Sequence, residues 1–376
     1  MTEGVHDLTL IVKVVQGCNL RCTYCYAAPA EYHSIRVMSV EVVERLIREA
    51  LSAAVYRVEF CWHGGEPLLA GRDFFAKAIA LQNRYKLPSQ IVINSIQTNG
   101  TLIDEEWIDF FEANGFGAGV SLDGPSFWHD RQRPFANGGG SHAQVMRAIH
   151  LWRARGQSIP VLCVVTSATA DKARDLFSFF IDAGVRDIDF LPCFKTNRMQ
   201  NKAYDSVINA HEFTDFMIEM FDLWWQTDNP AIRIRYFENV LQGLFGGQPT
   251  LCKFAGTCHH FLTIDIDGTV WPCDSFMGEN DFAFGNIFDT KLEEILAGKR
   301  RLRFIANSKK INRKCVCCKW FSICKGGCTY YRYMQRGRFD DKDYYCPARI
   351  FEHIRRAAYA AASSLEVVRS SIEENA

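Results

Sequence analysis

The sequence predicts an α/β fold, in which a partial (β/α)6 barrel of the TIM type is followed by a smaller cysteine-rich domain. Short apolar runs alternate with helical segments from Leu8 to about Phe194, polar or glycine-rich strings follow the first four runs, and cysteines cluster from residue 252 onward. A chain of 376 residues suits a barrel-sized domain plus an appended one. We predict the barrel over residues 1–230 and the second domain over residues 231–376.

The strands are predicted from near-continuous apolar runs, as expected of parallel strands buried on both faces. They span Leu8–Val15, Tyr56–Trp62, Ile91–Gln97, Gly117–Leu122, Pro160–Val165 and Asp187–Leu191. Barrel enzymes place their chemistry at the C-terminal ends of such strands. Strings that begin near Cys18, His63, Thr98 and Ser121 follow the first four strands, so we expect them to meet at one edge of the sheet.

The helices between the strands are predicted from their capping residues. The predicted caps and helices are Ser39 before Val40–Ala53, Asp104 before Glu105–Asn114, Ser141 before His142–Arg155, and Thr169 or Asp171 before Lys172–Ala183. Gly115, Gly156 and Gly184 are predicted to end three of them. An aromatic-rich amphipathic helix, His211–Gln226, then leads to a boundary near residues 229–250.

Charge and cysteine content limit the function classes. The 43 Lys and Arg residues balance 43 Asp and Glu residues, and we see no basic run, so no nucleic acid or membrane partner is expected. No segment resembles a membrane span or a leader, which predicts a cytoplasmic protein. Fifteen cysteines there indicate metal or redox chemistry rather than disulfides. Cys61, Cys163 and Cys193 lie in apolar runs and are expected in the core.

The most specific pattern is the string GCNLRCTYCY at residues 17–26, which contains Cys18, Cys22 and Cys25. Three thiolates at this spacing hold three irons of a four-iron cluster and leave the fourth iron open to a ligand. From the residues alone, a zinc knuckle or a set of buried free thiols is the alternative.

This C-x3-C-x2-C spacing, followed by an aromatic residue, resembles the radical S-adenosylmethionine (SAM) enzymes. The resemblance implies that SAM occupies the open iron of a 4Fe-4S cluster and that Tyr24 lies near its adenine. The string HGGEP, residues 63–67, resembles the superfamily's Gly-Gly-Glu-Pro motif. It implies that Gly64, Gly65, Glu66 and Pro67 hold the SAM ammonium group, whereas the same string without this context is a tight turn.

Three further segments match parts of the superfamily that line the SAM site. They imply contacts from Gln97, Asn99, Ser121, Asp123 and Leu191. Ser121 would contact the ribose or the carboxylate, and Leu191 would pack on the adenine. Without the resemblance, turn capping explains the polar residues and core packing explains Leu191.

The C-terminal cysteines resemble the SPASM domain, which carries two auxiliary 4Fe-4S clusters in radical SAM enzymes. Nine cysteines lie between Cys252 and Cys346, and eight of them suffice for two tetrads. The family pattern implies auxiliary cluster I on Cys252, Cys258, Cys273 and Cys328, and auxiliary cluster II on Cys315, Cys318, Cys324 and Cys346. Cys317 is then an unligated thiol or a competitor of Cys318. Two four-cysteine zinc sites are the alternative.

Further strings narrow the resemblance to the anaerobic sulfatase-maturating enzymes. They are residues 97–104, 162–167, 234–237, 318–321, 324–328 and 344–346. The resemblance implies oxidation of a Cys or Ser side chain in a sulfatase-like protein or peptide to formylglycine. A 5'-deoxyadenosyl radical would abstract hydrogen at Cβ, and the auxiliary clusters would carry away the second electron. A flavodoxin or ferredoxin is the implied electron donor.

Two residues are implied in substrate chemistry. Asp274 resembles the general base of sulfatase maturases, a task that suits a carboxylate whose pKa burial raises toward the working pH; an Asx turn is the alternative. His63 stands where many maturases have a glutamine that faces the substrate.

Two alternative functions remain open from the sequence. One is a SPASM enzyme that forms thioether or carbon–carbon crosslinks in a ribosomally made precursor peptide with the same three clusters. The lack of an extra N-terminal recognition domain before Leu8 favours the maturase. The other alternative, from a different class, is a non-enzymatic zinc-bearing scaffold.

Overall fold

A ten-stranded sheet forms the centre of the molecule. The structure is a computed structural model that describes residues 5–26, 34–196, 199 and 201–374. The strands of this sheet are β1 (Val5–Lys13), β4 (Ala54–His63), β5 (Ile91–Thr98), β6 (Phe116–Ser121), β7 (Val161–Val165), β8 (Asp187–Pro192), β9 (Arg233–Ile234), β10 (Phe261–Ile264), β11 (Thr269–Trp271) and β12 (Gly285–Asn286). A separate antiparallel pair consists of β2 (Val15–Gln16) and β3 (Arg36–Val37).

The strand order confirms the predicted α/β class. It runs β12-β11-β10-β1-β4-β5-β6-β7-β8-β9, and every neighbouring pair from β10 to β9 is parallel. All six predicted strands form, with ends displaced by at most three residues. The parallel sheet also extends past them, because β9 joins β8 and β10 joins β1. Strand pairing therefore crosses residue 230, and the two-domain division stays a prediction.

The deepest part of the core lies on one face of the parallel sheet, not on both as the apolar runs predict, because burial alternates along the strands: Ile11 on β1 and Cys61 on β4, on the other face, are only half-buried. Leu10 and Val12 on β1, with Phe60 and Trp62 on β4, are fully buried. Removal of such side chains from water is the main favourable term in folding, about 1.5–3 kcal/mol for each large side chain.

Helices cover the strands. The barrel helices are α1 (Val40–Ala53), α2 (Arg72–Tyr85), α3 (Glu105–Asn114), α4 (Ser126–Gln132), α5 (His142–Ala154) and α6 (Ala173–Asp182), and α7 (Ala210–Gln226) and α8 (Arg235–Leu244) follow them. Ser39 and Asp104 cap α1 and α3 as predicted. Gly115, Gly156 and Gly184 have positive φ just after their helices, also as predicted.

One predicted cap is wrong, and another forms without its side-chain hydrogen bond. Ser141 occupies the N-cap position of α5 as predicted, but its hydroxyl donates to the carbonyl of Arg133 and lies beside His129 instead of capping the helix. α6 begins at Ala173, after Lys172, and Thr169 instead completes a short 3-10 turn begun by Thr166. Helices α2 and α4 were not predicted because Gly71 and Pro125 precede them, and neither residue has a side chain that can cap a helix.

The C-terminal part consists of short helices and one long one. They are α9 (Cys252–Ala255), α10 (Leu292–Ala297), α11 (Lys299–Ser308), α12 (Arg313–Val316), α13 (Phe321–Cys324), α14 (Thr329–Tyr333) and α15 (Ala348–Glu374). α15 packs on α7 and α8 and so ties this part to the barrel. Among the described residues, no helix has both the length and the apolar character that crossing a membrane requires.

Register places the functional strings together. Lys13, the last residue of β1, lies opposite His63, the last residue of β4. Thr98 ends β5 opposite Val120 of β6. The C-terminal ends of these parallel strands therefore meet at one edge, as predicted, and the cysteine loop starts at the same edge.

Candidate active site

The N-terminal cysteine loop brings three thiols together. Cys18, Cys22 and Cys25 are half-buried, and burial raises the pKa of Cys18 to about 12 and that of Cys22 in the same direction. The Cys25 amide donates to the Cys22 carbonyl at 3.1 Å, and repulsion by Cys25 raises the pKa of Cys18 and Cys22 further, as expected of neighbouring thiols. Such thiols ionise only when a cation compensates the charge, which is the role of an iron ligand site.

The glycines of the HGGEP string allow this loop to pack on the end of β4. Gly65 has φ +53°, and a Cβ there would lie 1.9 Å from the carbonyl oxygen of Gly17. The Glu66 amide donates to the same oxygen at 3.0 Å. A side chain at Gly64 would collide with Lys13. The close approach that these glycines permit is thus between the HGGEP string and the segment leading to Cys18.

Glu66 is fully buried and links two strand ends. One carboxylate oxygen accepts hydrogen bonds from the Thr98 hydroxyl at 2.7 Å and the Leu68 amide at 3.0 Å, and the other accepts from the Asn99 amide at 2.7 Å. Burial raises the pKa of Glu66 to about 7, against these hydrogen bonds. A carboxylate offers about four acceptor positions, so Glu66 keeps acceptor capacity for a cationic group.

Tyr24 and Asp123 form one buried unit with an arginine that sequence reasoning missed. The Tyr24 hydroxyl donates to Asp123 at 2.5 Å, and Arg133 forms a salt bridge with the same carboxylate at 2.8 Å. Asp123 also accepts from the Val164 amide at 3.0 Å. The carboxylate therefore fixes Tyr24 beside the cysteine loop. No local pattern marks Arg133, since it follows α4 without a motif.

The remaining predicted SAM contacts lie along the same edge. Asn99 lies closest to the thiols: its amide nitrogen is 3.6 Å from the Cys18 sulfur and donates to Asn19 at 2.8 Å. Gln97 donates to the Ser121 hydroxyl at 3.3 Å. Pro67 starts a short 3-10 turn, and Leu191 is half-buried near the end of β8. The structure thus gathers the predicted residues on the ends of β4, β5, β6 and β8.

Asp274 lies beside the end of β1, far in sequence from the barrel. Its carboxylate contacts the ammonium of Lys13 and accepts a hydrogen bond from the Tyr26 hydroxyl. The Lys13 ammonium also lies 3.0 Å from the Tyr26 hydroxyl and 3.1 Å from Nδ1 of His63. Sequence reasoning missed Lys13, which resembles any other strand-end lysine until the fold shows it 5% exposed.

The pKa of Asp274 is lowered, not raised as expected from burial. Burial raises the pKa of this carboxyl, but Lys13 and His63 lower it more, and hydrogen bonds from Lys13 and Tyr26 add to the decrease, so the pKa is about 2. Asp274 is therefore an ionised, ion-paired carboxylate in the peptide-free protein. Because efficient general bases have a pKa near the working pH, this pKa does not suit a general base while both partners are in place.

His63 presents a defined tautomer. Its Nδ1 accepts the Gly64 amide hydrogen at 2.7 Å and faces the Lys13 ammonium at 3.1 Å, so the ring proton resides on Nε2. Burial, followed by repulsion from Lys13, lowers the pKa of His63 to about 4. The imidazole is therefore neutral at physiological pH and offers an N–H donor, as a glutamine at this position also would.

We predict that His63→Gln reduces the acid sensitivity of the fold. A histidine with a folded pKa of about 4 and an unfolded pKa of about 6.5 binds its proton more tightly in the unfolded chain. Its contribution to stability is therefore lost as pH falls from about 6.5 toward 4. Urea unfolding at pH 7, 6 and 5 should show that the free energy of unfolding falls less steeply with decreasing pH in the variant than in the wild type. The difference in slope should correspond to nearly one bound proton. The exposed His211 is the control site, and an unchanged slope in His63→Gln contradicts the argument.

The structure brings the C-terminal thiols together in two groups of four. Burial raises the pKa of Cys328, and repulsion from Cys258, Cys252 and Cys273 raises it further, as expected of sulfurs that share one site. Burial likewise raises the pKa of Cys324, and repulsion from Cys346, Cys315 and Cys318 adds to the increase. We call these groups tetrad I and tetrad II. They have the membership that the family pattern implies.

Residues outside the cysteine pattern support the tetrads. The Thr329 hydroxyl donates to the Cys258 sulfur at 3.1 Å. Asp343 accepts from the amides of Cys328 and Tyr345, each at 2.7 Å, and thereby joins the segments of tetrads I and II. Burial raises the pKa of Asp343 to about 6. Hydrogen bonds of this kind orient ligands and tune a metal group.

The donor sets fit iron–sulfur groups. One three-thiol and two four-thiol sites match the ligand numbers of an open and two closed clusters. Burial raises the pKa of Cys252 to about 11 and that of Cys273 to about 12, so their thiolate forms require a compensating cation. Within the described residues, no three His, Cys, Asp or Glu side chains are close enough to bind a single metal ion. Cys317 is exposed, whereas Cys318 is half-buried within tetrad II.

Comparisons with known proteins agree with this site. Residues 12–179 match the Radical SAM superfamily, and residues 252–319 match SPASM, an iron-sulfur cluster-binding domain. A cysteine-type anaerobic sulfatase-maturating enzyme of Clostridium perfringens is 33% identical over 351 residues, which cover 90% of this chain and 93% of that protein. A serine-type enzyme of Bacteroides thetaiotaomicron is 30% identical over 347 residues, covering 87% and 83%.

A solved structure shows the same similarity along almost the whole chain. Native anSMEcpe with bound AdoMet and the Cp18Cys peptide superposes with a TM-score of 0.85 at 33% identity. The match covers 96% of this chain and 99% of that one.

Proposed function

The chain belongs to the anaerobic sulfatase-maturating enzymes of the radical SAM superfamily, and on that premise we propose that it oxidises a cysteine side chain of a protein or peptide substrate to formylglycine. The observation that carries the proposal is the arrangement of Asp274, Lys13 and His63. It joins the segment of tetrad I to the strand ends beside the N-terminal thiols. Cysteine is favoured over serine because the cysteine-type relative is the more similar one, at 33% against 30% identity.

The proposed cofactors are SAM and three 4Fe-4S clusters. Cys18, Cys22 and Cys25 would hold the SAM-binding cluster, and tetrads I and II would hold the auxiliary clusters. Together these groups supply one-electron transfer and hydrogen-atom abstraction when bound. Tyr24, Glu66, Asn99 and Ser121 would bind and orient SAM, with Gly64, Gly65, Pro67, Gln97, Asp123 and Leu191 completing its pocket.

The chain's own residues would position the substrate and move its proton. The Nε2–H of His63 is placed to donate a hydrogen bond to the peptide, as the glutamine of many maturases would. Asp274 would accept the substrate's thiol proton once the peptide displaces Lys13 or Tyr26 from it. Two electrons leave the Cβ–S unit in all, and the resulting thioaldehyde hydrolyses to formylglycine.

Aldehyde trapping tests the proposal directly. Anaerobically reduced enzyme is incubated with SAM and a peptide containing C-x-P-x-R, and the product is treated with a hydrazine and weighed by mass spectrometry. A hydrazone on the former cysteine is expected. A thioether or carbon–carbon crosslink without aldehyde would assign the chain to peptide crosslinking instead.

We predict that Cys317 and Cys318 differ in cluster binding. Cys318→Ala removes a tetrad II thiol and should lower bound iron by about one cluster of the three. Cys317→Ala, the matched control one residue away, removes an exposed thiol and should keep the full iron content. Iron and sulfide assays with visible spectra measure both variants. Equal iron loss in the two variants would show that Cys317 shares in ligation.

The proposed setting is the cytoplasm, with a flavodoxin or ferredoxin as electron partner. All fifteen cysteines are free thiols in the structure, which suits a reducing compartment.

A further inference from the structure

Although the total charge of the chain is balanced, one of its surfaces is strongly basic. Between Glu294 and Asp340 the sequence carries thirteen Lys and Arg residues and neither Asp nor Glu. The expectation that the sequence lacks a basic run is therefore wrong for this segment. Most of these cations are exposed, and we call the following set the basic surface: Lys299, Arg300, Arg303, Lys309, Lys310, Arg313, Lys314, Lys319, Lys325, Arg336 and Arg338.

Part of the basic surface adjoins tetrad II in the sequence. Cys315, Cys318 and Cys324 belong to the same segment, with cations immediately before Cys315 and after Cys318 and Cys324. Between the first two of these thiols, Val316 is 55% exposed and Cys317 is also exposed. The loop that carries two tetrad II thiols is therefore open to a macromolecule approaching from solvent.

A cavity adjoins the cations. It has a volume of about 710 Å³ and lies between α11 and the loop after α14. Phe304 and Phe339 contribute apolar surface, while Arg300 and Arg303 contribute positive charge. The acids at this cavity are Asp281 and Asp340, and Asp340 is already paired with Arg338 at 2.9 Å. Positive charge therefore remains in excess, beside an apolar recess that suits the core of a small interface.

We propose that the basic surface is the docking site of an acidic one-electron carrier protein that exchanges electrons at tetrad II. The inference rests on the proposed function, in which the second electron of the substrate must leave the enzyme. With its iron–sulfur group bound, tetrad II would supply one electron in each encounter, and the carrier would be reduced by that electron without any bond being made or broken. Opposite charges accelerate such encounters and orient the partners.

The location of the cations favours a protein carrier over a nucleic acid. Positive charge alone attracts either partner. Lys314, Lys319 and Lys325, however, adjoin tetrad II thiols in the sequence, where electrons would cross between molecules. The exposed Val316 lies between two of these thiols. Weak electron-transfer complexes bury small interfaces, below about 1,200 Å² in total. A surface centred on one short loop is therefore large enough to bind such a carrier.

Charge reversal away from the thiols tests the proposal on the iron-loaded enzyme. The variant Arg303→Glu/Lys309→Glu/Lys310→Glu changes three cations of the basic surface, none of them next to a cysteine. The matched control, Lys77→Glu/Lys86→Glu/Arg174→Glu, changes the net charge equally at exposed barrel positions. Binding of a strongly acidic flavodoxin is measured by biolayer interferometry at low and high salt, after iron assays show equal cluster content.

The surface variant should weaken flavodoxin binding at least about tenfold, mostly through a slower association rate, and the control less than about twofold. Flavodoxin should also slow alkylation of Cys317 by N-ethylmaleimide in the wild type. Equal binding by both variants would overturn the proposal, as would binding of a short RNA oligonucleotide with none of flavodoxin. Aldehyde formation by wild-type enzyme reduced with dithionite is scored separately, so failure of docking is distinguishable from failure of the proposed function.

Discussion

Asp274→Asn is expected to cleave SAM at a nearly normal rate while formylglycine formation falls about 10²- to 10⁴-fold, the usual worth of a positioned acid–base group. The substitution keeps the shape of the side chain and removes its negative charge. It leaves the thiols of the N-terminal loop and the buried Glu66 and Asp123 unchanged. SAM cleavage and product are measured in the same anaerobic assay, by chromatography of the nucleoside and mass spectrometry of the peptide.

The Asp274→Asn experiment needs two controls. Iron content must match the wild type, since Asp274 directly follows Cys273 of tetrad I. Asp341, an acid of the same C-terminal part outside the Asp274 contacts, serves as the control site for Asp→Asn substitution. Product formation by Asp274→Asn at the wild-type rate would remove the carboxylate from the mechanism and leave it as the partner of Lys13.

The cysteine pattern, the strand runs and the glycine positions were readable from sequence because each depends on local spacing. Apolar runs predict buried parallel strands, and thiol spacing predicts ligand loops. Lys13 and Arg133 were missed because their importance comes from Asp274 and Asp123, which only the fold brings near them. Tertiary contacts also explain why the hydroxyl of Ser141, which occupies the predicted N-cap position, bonds to Arg133 rather than to α5.

The low pKa of Asp274 is a second consequence of contacts that sequence does not reveal. From sequence, burial was the foreseeable influence, and burial does raise the pKa. The opposing cation comes from β1, hundreds of residues away in the chain. The site thus holds its candidate base in a weakly basic state until a peptide arrives, which restrains proton transfer in the empty enzyme.

Lys13→Met should destabilise the protein by roughly 3 kcal/mol, because removal of one member of a buried ion pair leaves the other charge without its partner. Lys13 is 5% exposed, and the Asp274 side chain is 23% exposed. Methionine retains most of the apolar stem of lysine, so packing is largely preserved. The double variant Lys13→Met/Asp274→Asn removes both charges and should be less destabilised than Lys13→Met alone. Urea unfolding of the four proteins gives the coupling energy; additive effects would show that the pair contributes nothing.

Lys13→Met should also reverse the pH dependence that Asp274 gives to the free energy of unfolding. In the wild type the pKa of about 2 lies below the ordinary carboxyl value of 3.8, so ionisation of Asp274 favours folding above pH 3.8 and this contribution is lost as pH falls toward 2. Without Lys13, burial dominates and the pKa rises above 3.8. Stability should then decrease as pH rises through the new value, and the acidic limb of product formation should move to higher pH. An unchanged limb in Lys13→Met would mean that the peptide already separates Lys13 from Asp274 when it binds, and that the pair governs only the empty site.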